Sequence, residues 1–272
     1  MARGLLTAIS RFHLRSHLGK TPRAVNAQDM PRVEALYQEA LRILDAPERY
    51  PLYVSDDERV NAATLGAGKP TLMLTAGAIS TLSDDELLVV LGHELGHLLC
   101  DHVLYQYLSR MLLSVGMRSR SPLVLPGGLA AMAALQSWRR IAELSADRAS
   151  LLVVQDPEIV QRLFGRLGET EQTPEELRQK AEAEREGLPW GERLKKGWQF
   201  VVDAHPERHN RAFEVDSWGR SEEFKSILSG DYPRRADDPP TGSDRVESAF
   251  NAMGEWTLER RAAAFTFMSN FK

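Results

Sequence analysis

The run His93-Glu94-Leu95-Gly96-His97 constrains this chain more tightly than any other feature, because its chemistry needs a helix. Just upstream, Ser83 with Glu86 three residues later makes a capping-box pattern ahead of the apolar positions Leu87, Leu88, Val90 and Leu91. A helix is therefore expected from about Asp84. With no proline to interrupt it, it should run to about His102 or beyond. On a helix, residues i and i+4 lie on one face about 5–6 Å apart, so both imidazoles can reach one tetrahedral ion while Glu94 leans in beside it. This is the H-E-x-x-H arrangement of a zinc site. Zinc brings the pKa of its water toward neutrality, and Glu94 can take the proton as that water attacks a carbonyl, later passing it to the leaving amine. The expectation is peptide-bond hydrolysis with one Zn²⁺ per chain.

A catalytic zinc takes a third protein ligand and leaves a fourth position open. His102 lies nine residues after His93, one short of the third histidine in H-E-x-x-H-x-x-G-x-x-H sites, and Cys100 stands where that pattern needs glycine. His102 is accordingly read as a histidine at the helix C-terminus, favoured there by the dipole, and Cys100 as a small buried or half-buried thiol. Glu143 is the better candidate. It opens Glu143-Leu144-Ser145-Ala146-Asp147 within an otherwise apolar helix expected over 129–154 and ended by Asp156 and Pro157. At i and i+4, Glu143 can ligate while Asp147 accepts the N–H of a ligating histidine and sets its tautomer.

The rest of the chain reads as α+β and mostly helical. Asp29 and Pro31 start a helix of about four turns carrying Val33, Leu36, Tyr37, Ala40, Leu41 and Leu44. Short β-favouring segments at 51–54, 60–65 and 71–75 follow, and a charged helix is expected over 174–186. The domain reading is a basic arm over 1–25, a main domain over 26–221, and a linker with a helical extension over 222–272, the last helix spanning 245–268. The arm holds Arg3, Arg11, Arg15, Lys20 and Arg23 and no acidic residue, so a surface helix competes with a targeting or membrane-touching segment.

Composition closes off other classes. A hydrophobic fraction of 43% and a charged fraction of 26% match soluble globular chains, and a net charge of −4 gives no nucleic-acid footprint. One cysteine makes no internal disulfide, so a cytoplasmic home is expected. The apolar stretches 103–117 and 123–135 are broken by Arg110 and by Pro126, Gly127 and Gly128, too short to span a bilayer, though a peripheral contact stays open.

With Asn61-Ala62, the stretch 72–77, the Leu82 to Leu87 approach, H-E-x-x-H and the Glu143 to Asp147 pair in this order, the chain resembles the M48 family of gluzincin metallopeptidases over about 26–211. The resemblance implies a gluzincin-type core, with a small edge-strand sheet packed on the H-E-x-x-H helix and the glutamate-ligand helix. It adds His205-Pro206 and Arg211: His205 would donate to the oxyanion of the tetrahedral intermediate and could also gate the metal, and Arg211 would brace the acidic residues or assist that oxyanion. His209 is the nearby decoy. An extended peptide would add to an edge strand, expected at Thr71, Leu72, Met73, Leu74, Thr75 and Ala76. The leading expectation is a zinc endopeptidase acting on unfolded or extended segments. The alternatives are a catalytically quiet zinc protein that holds peptides, and a protease peripheral to a membrane.

Overall fold

Pro31, with its preset φ, opens helix α1 (Pro31–Ile43), whose Val33, Tyr37, Ala40 and Leu41 recur on one buried face. Asn26, rather than Asp29, closes the turn ahead of it by accepting the backbone N–H groups of Gln28 and Asp29. The computed structural model describes residues 22–66, 70–103, 125–168, 170–185 and 207–232. The architecture is α+β and mostly helical, with one small mixed sheet. Residues 1–21, 67–69, 104–124, 169, 186–206 and 233–272 lie outside the described part, and with them most of the basic arm, most of the first apolar stretch, His205-Pro206 and the expected terminal helix.

The sheet is built from β1 (Arg23–Ala24), β2 (Leu52–Ser55), β3 (Ala62–Leu65) and β4 (Thr71–Thr75) in the order β1-β2-β4-β3. β2 and β4 run parallel and the other pairs antiparallel. One expectation is corrected here: Thr71, Leu72, Met73, Leu74 and Thr75 are an interior strand, and Ala76 begins helix α2 (Ala76–Thr81). All five strand residues are buried, and β2 and β3 occupy both hydrogen-bonding sides, which leaves a peptide no edge to join. The physical reason is two-sided burial. Leu72 and Leu74 pack into the core beneath α1, while Met73 meets Leu65 on the other face. The half-exposed strand at the border of the sheet is β3.

Helix α3 (Asp84–Leu99) carries the histidine motif, and its start forms the full capping box: Glu86 N–H donates to Ser83 Oγ and Ser83 N–H to Glu86 Oε2. The other Glu86 oxygen meets Arg166. Burial pushes the Glu86 carboxyl up, but the Ser83 N–H and the Arg166 guanidinium outweigh it and hold it below its ordinary 4.5. A carboxyl depressed by folding contributes stability that is complete above about 4.5 and is lost as pH falls through the lower folded value. Melting temperatures at stepped pH should therefore fall more steeply below about 4.5 in wild type than in Glu86→Gln. Parallel curves would remove Glu86 from acid unfolding.

The helix stops at Leu99 rather than near His102. Asp101 takes a left-handed conformation, φ 56°, and its N–H and that of Cys100 turn back to the carbonyls of Leu98 and Gly96. Cys100 is exposed rather than buried.

Helix α4 (Leu125–Val154) lies against α3 at very close range. A Cβ on Gly96 would stand 2.8 Å from Ala149 Cβ and 2.9 Å from Ala146 Cα, and one on Gly92 would stand 2.9 Å from Ser150 Cα. Two glycines on the motif face thus let the α4 backbone come near enough to deliver short carboxylate side chains to the histidines. Asp156 caps and Pro157 opens α5 (Pro157–Arg166), so the residues that end one helix begin the next. After α6 (Pro174–Arg185) come α7 (Arg208–Gly219) and α8 (Glu222–Leu228). Helices α5, α7 and α8 carry no expectation from sequence. Val160, Leu163 and Phe164 join Ala212, Val215, Trp218 and Phe224 in a second core around Leu87, Val89 and Leu151. The compact unit continues through Gly230. No helix among the described residues is long and apolar enough to cross a membrane.

Candidate metal centre

His93 and His97 project from one face of α3, and Glu143 reaches them from α4. His93 Nε2 and His97 Nε2 are 3.1 Å apart, and the two Glu143 oxygens stand 3.5 Å from one nitrogen each. Ligands held about 2.0–2.2 Å from a tetrahedral zinc would be separated by about 3.3–3.6 Å, so the three side chains fit a single ion. Two imidazole lone pairs this close repel unless positive charge lies between them. The surroundings supply that preference: burial would push His93 down, but hydrogen bonds to Asp147 and Glu143 outweigh it and lift it to about 9. Burial takes His97 the other way, down to about 3, which leaves a neutral imidazole able to ligate.

Asp147, on the same face of α4 as Glu143, accepts from His93 Nδ1 at 3.0 Å. With the Nδ1 proton committed to Asp147, Nε2 faces the centre, where a cation would take the place of the ring's second proton. Asp147 is fully buried and paired with Arg211, whose Nε lies 2.7 Å from Oδ2 and whose Nη2 meets Oδ1. Burial raises the Asp147 carboxyl, but the Arg211 guanidinium outweighs it and keeps the group ionised. Arg211 Nη1 also stands 3.5 Å from Glu143 Oε2, and the guanidinium lies 4.7 Å over the Phe164 ring. The first turn of α7 thereby closes the acidic side of the centre.

Glu94 is buried, and burial raises its carboxyl above its ordinary 4.5. Thr64 of β3 points its hydroxyl at Glu94, 2.8 Å from Oε2 and 2.9 Å from the backbone oxygen. Sequence reasoning missed Thr64, and nothing local marks it, since it meets Glu94 from 30 residues away.

His102 lies past the end of the motif helix rather than at its C-terminus. The turn at Asp101 carries it off the helix axis and back under the motif, where it is buried, 3.0 Å from His97 Nδ1 and edge-on to Trp138. Burial lowers its pKa to about 4. It is not among the three side chains, His93, His97 and Glu143, grouped closely enough to hold one metal ion. His209 is held apart from the centre by Glu184 at 3.0 Å and Glu207 at 3.4 Å. His205 lies outside the described residues, and Thr71 to Ala76 sit in the sheet and at the start of α2.

The family whose model matches the chain is described as Peptidase family M48, over residues 27–219. A relative from Arabidopsis thaliana, the plastoglobule-localized metallopeptidase 48, chloroplastic, is 33% identical over 218 residues, covering 75% of this chain. The chain spans 61% of that relative's length. No solved structure matches it.

Proposed function

The chain belongs to peptidase family M48, a family of metallopeptidases, and from that premise we propose a zinc-dependent endopeptidase that cuts extended or unfolded protein segments. The observation that carries the reading is the convergence of His93 Nε2, His97 Nε2 and the Glu143 carboxylate at tetrahedral spacing beside a buried glutamate that is not one of the three. When bound, zinc supplies a Lewis acid that acidifies a water and polarises the scissile carbonyl.

The remaining work falls to the protein's own side chains. Glu94 takes the proton of the attacking water on its carboxylate and delivers it to the leaving amine; its burial raises its proton affinity toward the range where a general base operates. Thr64 orients that carboxylate by donating to Oε2. Asp147 and Arg211 hold His93 in the tautomer that presents Nε2. His205, by family resemblance, is the proposed donor to the oxyanion. The substrate lies along β3, whose outer side pairs with no other described strand and whose Thr64 touches Glu94. Backbone pairing with that edge gives affinity with little sequence preference, which suits unfolded chains. The lone cysteine favours a reducing compartment such as the cytoplasm.

The test is metal removal and return. A chelator should abolish internal cleavage of a denatured protein, read by mass spectrometry of the fragments, and stoichiometric Zn²⁺ should restore it. Cleavage that continues in the metal-free protein would overturn the reading.

A further inference from the structure

The two histidines of the centre are held in different ways. His93 Nδ1 donates to an ionised carboxylate, whereas His97 Nδ1 faces another imidazole, that of His102, at 3.0 Å. Beyond it, His102 Nε2 stands 3.3 Å from Ser145 Oγ, and Ser145 Oγ stands 3.0 Å from the carbonyl of Ala142. This chain of contacts has a determinable direction. A carbonyl oxygen only accepts, so the Ser145 hydroxyl donates its single proton to Ala142 and must accept at its lone pair. His102 Nε2 therefore carries a proton. His102 is buried with no carboxylate in hydrogen-bonding contact among the described residues, so it stays neutral and its Nδ1 is an acceptor. His97 Nδ1 must then donate, and the lone pair left on His97 is the one on Nε2.

We propose that His102, anchored by Ser145, is a positioning residue that fixes the tautomer and ring orientation of His97, so that Nε2 faces the metal. The inference rests on the reading of His93, His97 and Glu143 as metal ligands, and it adds an uncharged counterpart to the Asp147–Arg211 support of His93. Placement of the relay depends on the fold in two ways. The left-handed Asp101 brings His102 back beneath His97, and Ser145 occupies the ligand-bearing stretch of α4 between Glu143 and Asp147. The edge-on contact with Trp138, 5.8 Å between centroids, holds the His102 ring from a further side. Reversing the relay would put a proton on His97 Nε2 and remove it as a ligand. Mutation of groups that orient metal-bound histidines typically costs about 10–100-fold in metal affinity.

The experiment measures Zn²⁺ affinity of the full chain by competition with a chromophoric chelator, together with histidine tautomers from long-range ¹H–¹⁵N spectra of the zinc-loaded wild type. His102→Phe keeps a ring against Trp138 and removes the acceptor; its affinity should fall by about 10–100-fold. His102→Asn, which sets an oxygen where Nδ1 stands, should recover most of that loss, a rescue that a packing role would not give. The spectra should show His97 protonated at Nδ1 and His102 at Nε2. Unchanged affinity in His102→Phe, or His102 protonated at Nδ1 in the zinc-loaded wild type, would overturn the proposal. The spectral result stands even if the Phe variant does not fold. Failure of the wild type itself to bind Zn²⁺ would instead sink the metal reading, and this inference with it.

Discussion

Replacing Glu94 by Gln is expected to lower kcat on an unfolded polypeptide by about 10²–10⁴-fold while zinc stays bound. The substitution keeps shape and size, and an amide oxygen can still accept from Thr64 Oγ1, so the contact that orients the side chain survives. What it loses is the ability to take a proton. Glu94 stands outside the group formed by His93, His97 and Glu143, so metal content should not change. The proposed backbone pairing of substrate along β3 is likewise untouched, and KM should move little. The same variant separates an enzyme from a protein that only holds peptides: in the second case, binding and every other property would be alike in variant and wild type. Equal cleavage by the two proteins, measured on one denatured substrate with zinc content confirmed, would remove Glu94 from the mechanism.

Arg211→Ala should be the most damaging single change to stability near the centre, at about 3–5 kcal/mol, because it strands a buried charge. Asp147 is 1% exposed and takes two guanidinium contacts from Arg211, so the alanine variant leaves a carboxylate out of water with only His93 as a partner. Removing both partners costs less than the sum of the two single changes, since the orphaned charge goes with its counterion. Arg211→Lys should rescue poorly, because an ammonium cannot match the two-pronged contact. Denaturant unfolding of Arg211→Ala, Asp147→Ala and the double variant checks this. A simple sum of the two losses would mean that Arg211 acts through packing on Phe164 rather than through Asp147.

Features that depend on neighbouring residues were readable from the chain alone. The capping box at Ser83 and Glu86, the placement of His93, Glu94 and His97 on one helix, and the i, i+4 relation of Glu143 and Asp147 follow from helical geometry over a few residues. The strand at 71–75 was visible for the same reason, its β-favouring content lying between turn residues. Its position in the sheet was not. Hydrophobicity identifies a strand, but which strands flank it is decided by packing across the sheet, and burial on both faces moved β4 inside and left β3 at the border.

His102 and Thr64 show the same division at the centre itself. Spacing argued against His102 as a third ligand, but the left-handed turn at Asp101, which a sequence without proline or glycine there gave no reason to expect, brought it against His97. Thr64 and Arg211 reach their partners across 30 and 64 residues. By itself the sequence determined the helix that carries His93, Glu94 and His97, the i, i+4 relation of Glu143 and Asp147, and the family resemblance, because each is written in short-range spacing. Only the tertiary structure decided which strand borders the described sheet and that Thr64 meets Glu94 and His102 meets His97, because buried polar groups take their partners from whatever the packing of distant segments brings within hydrogen-bonding reach.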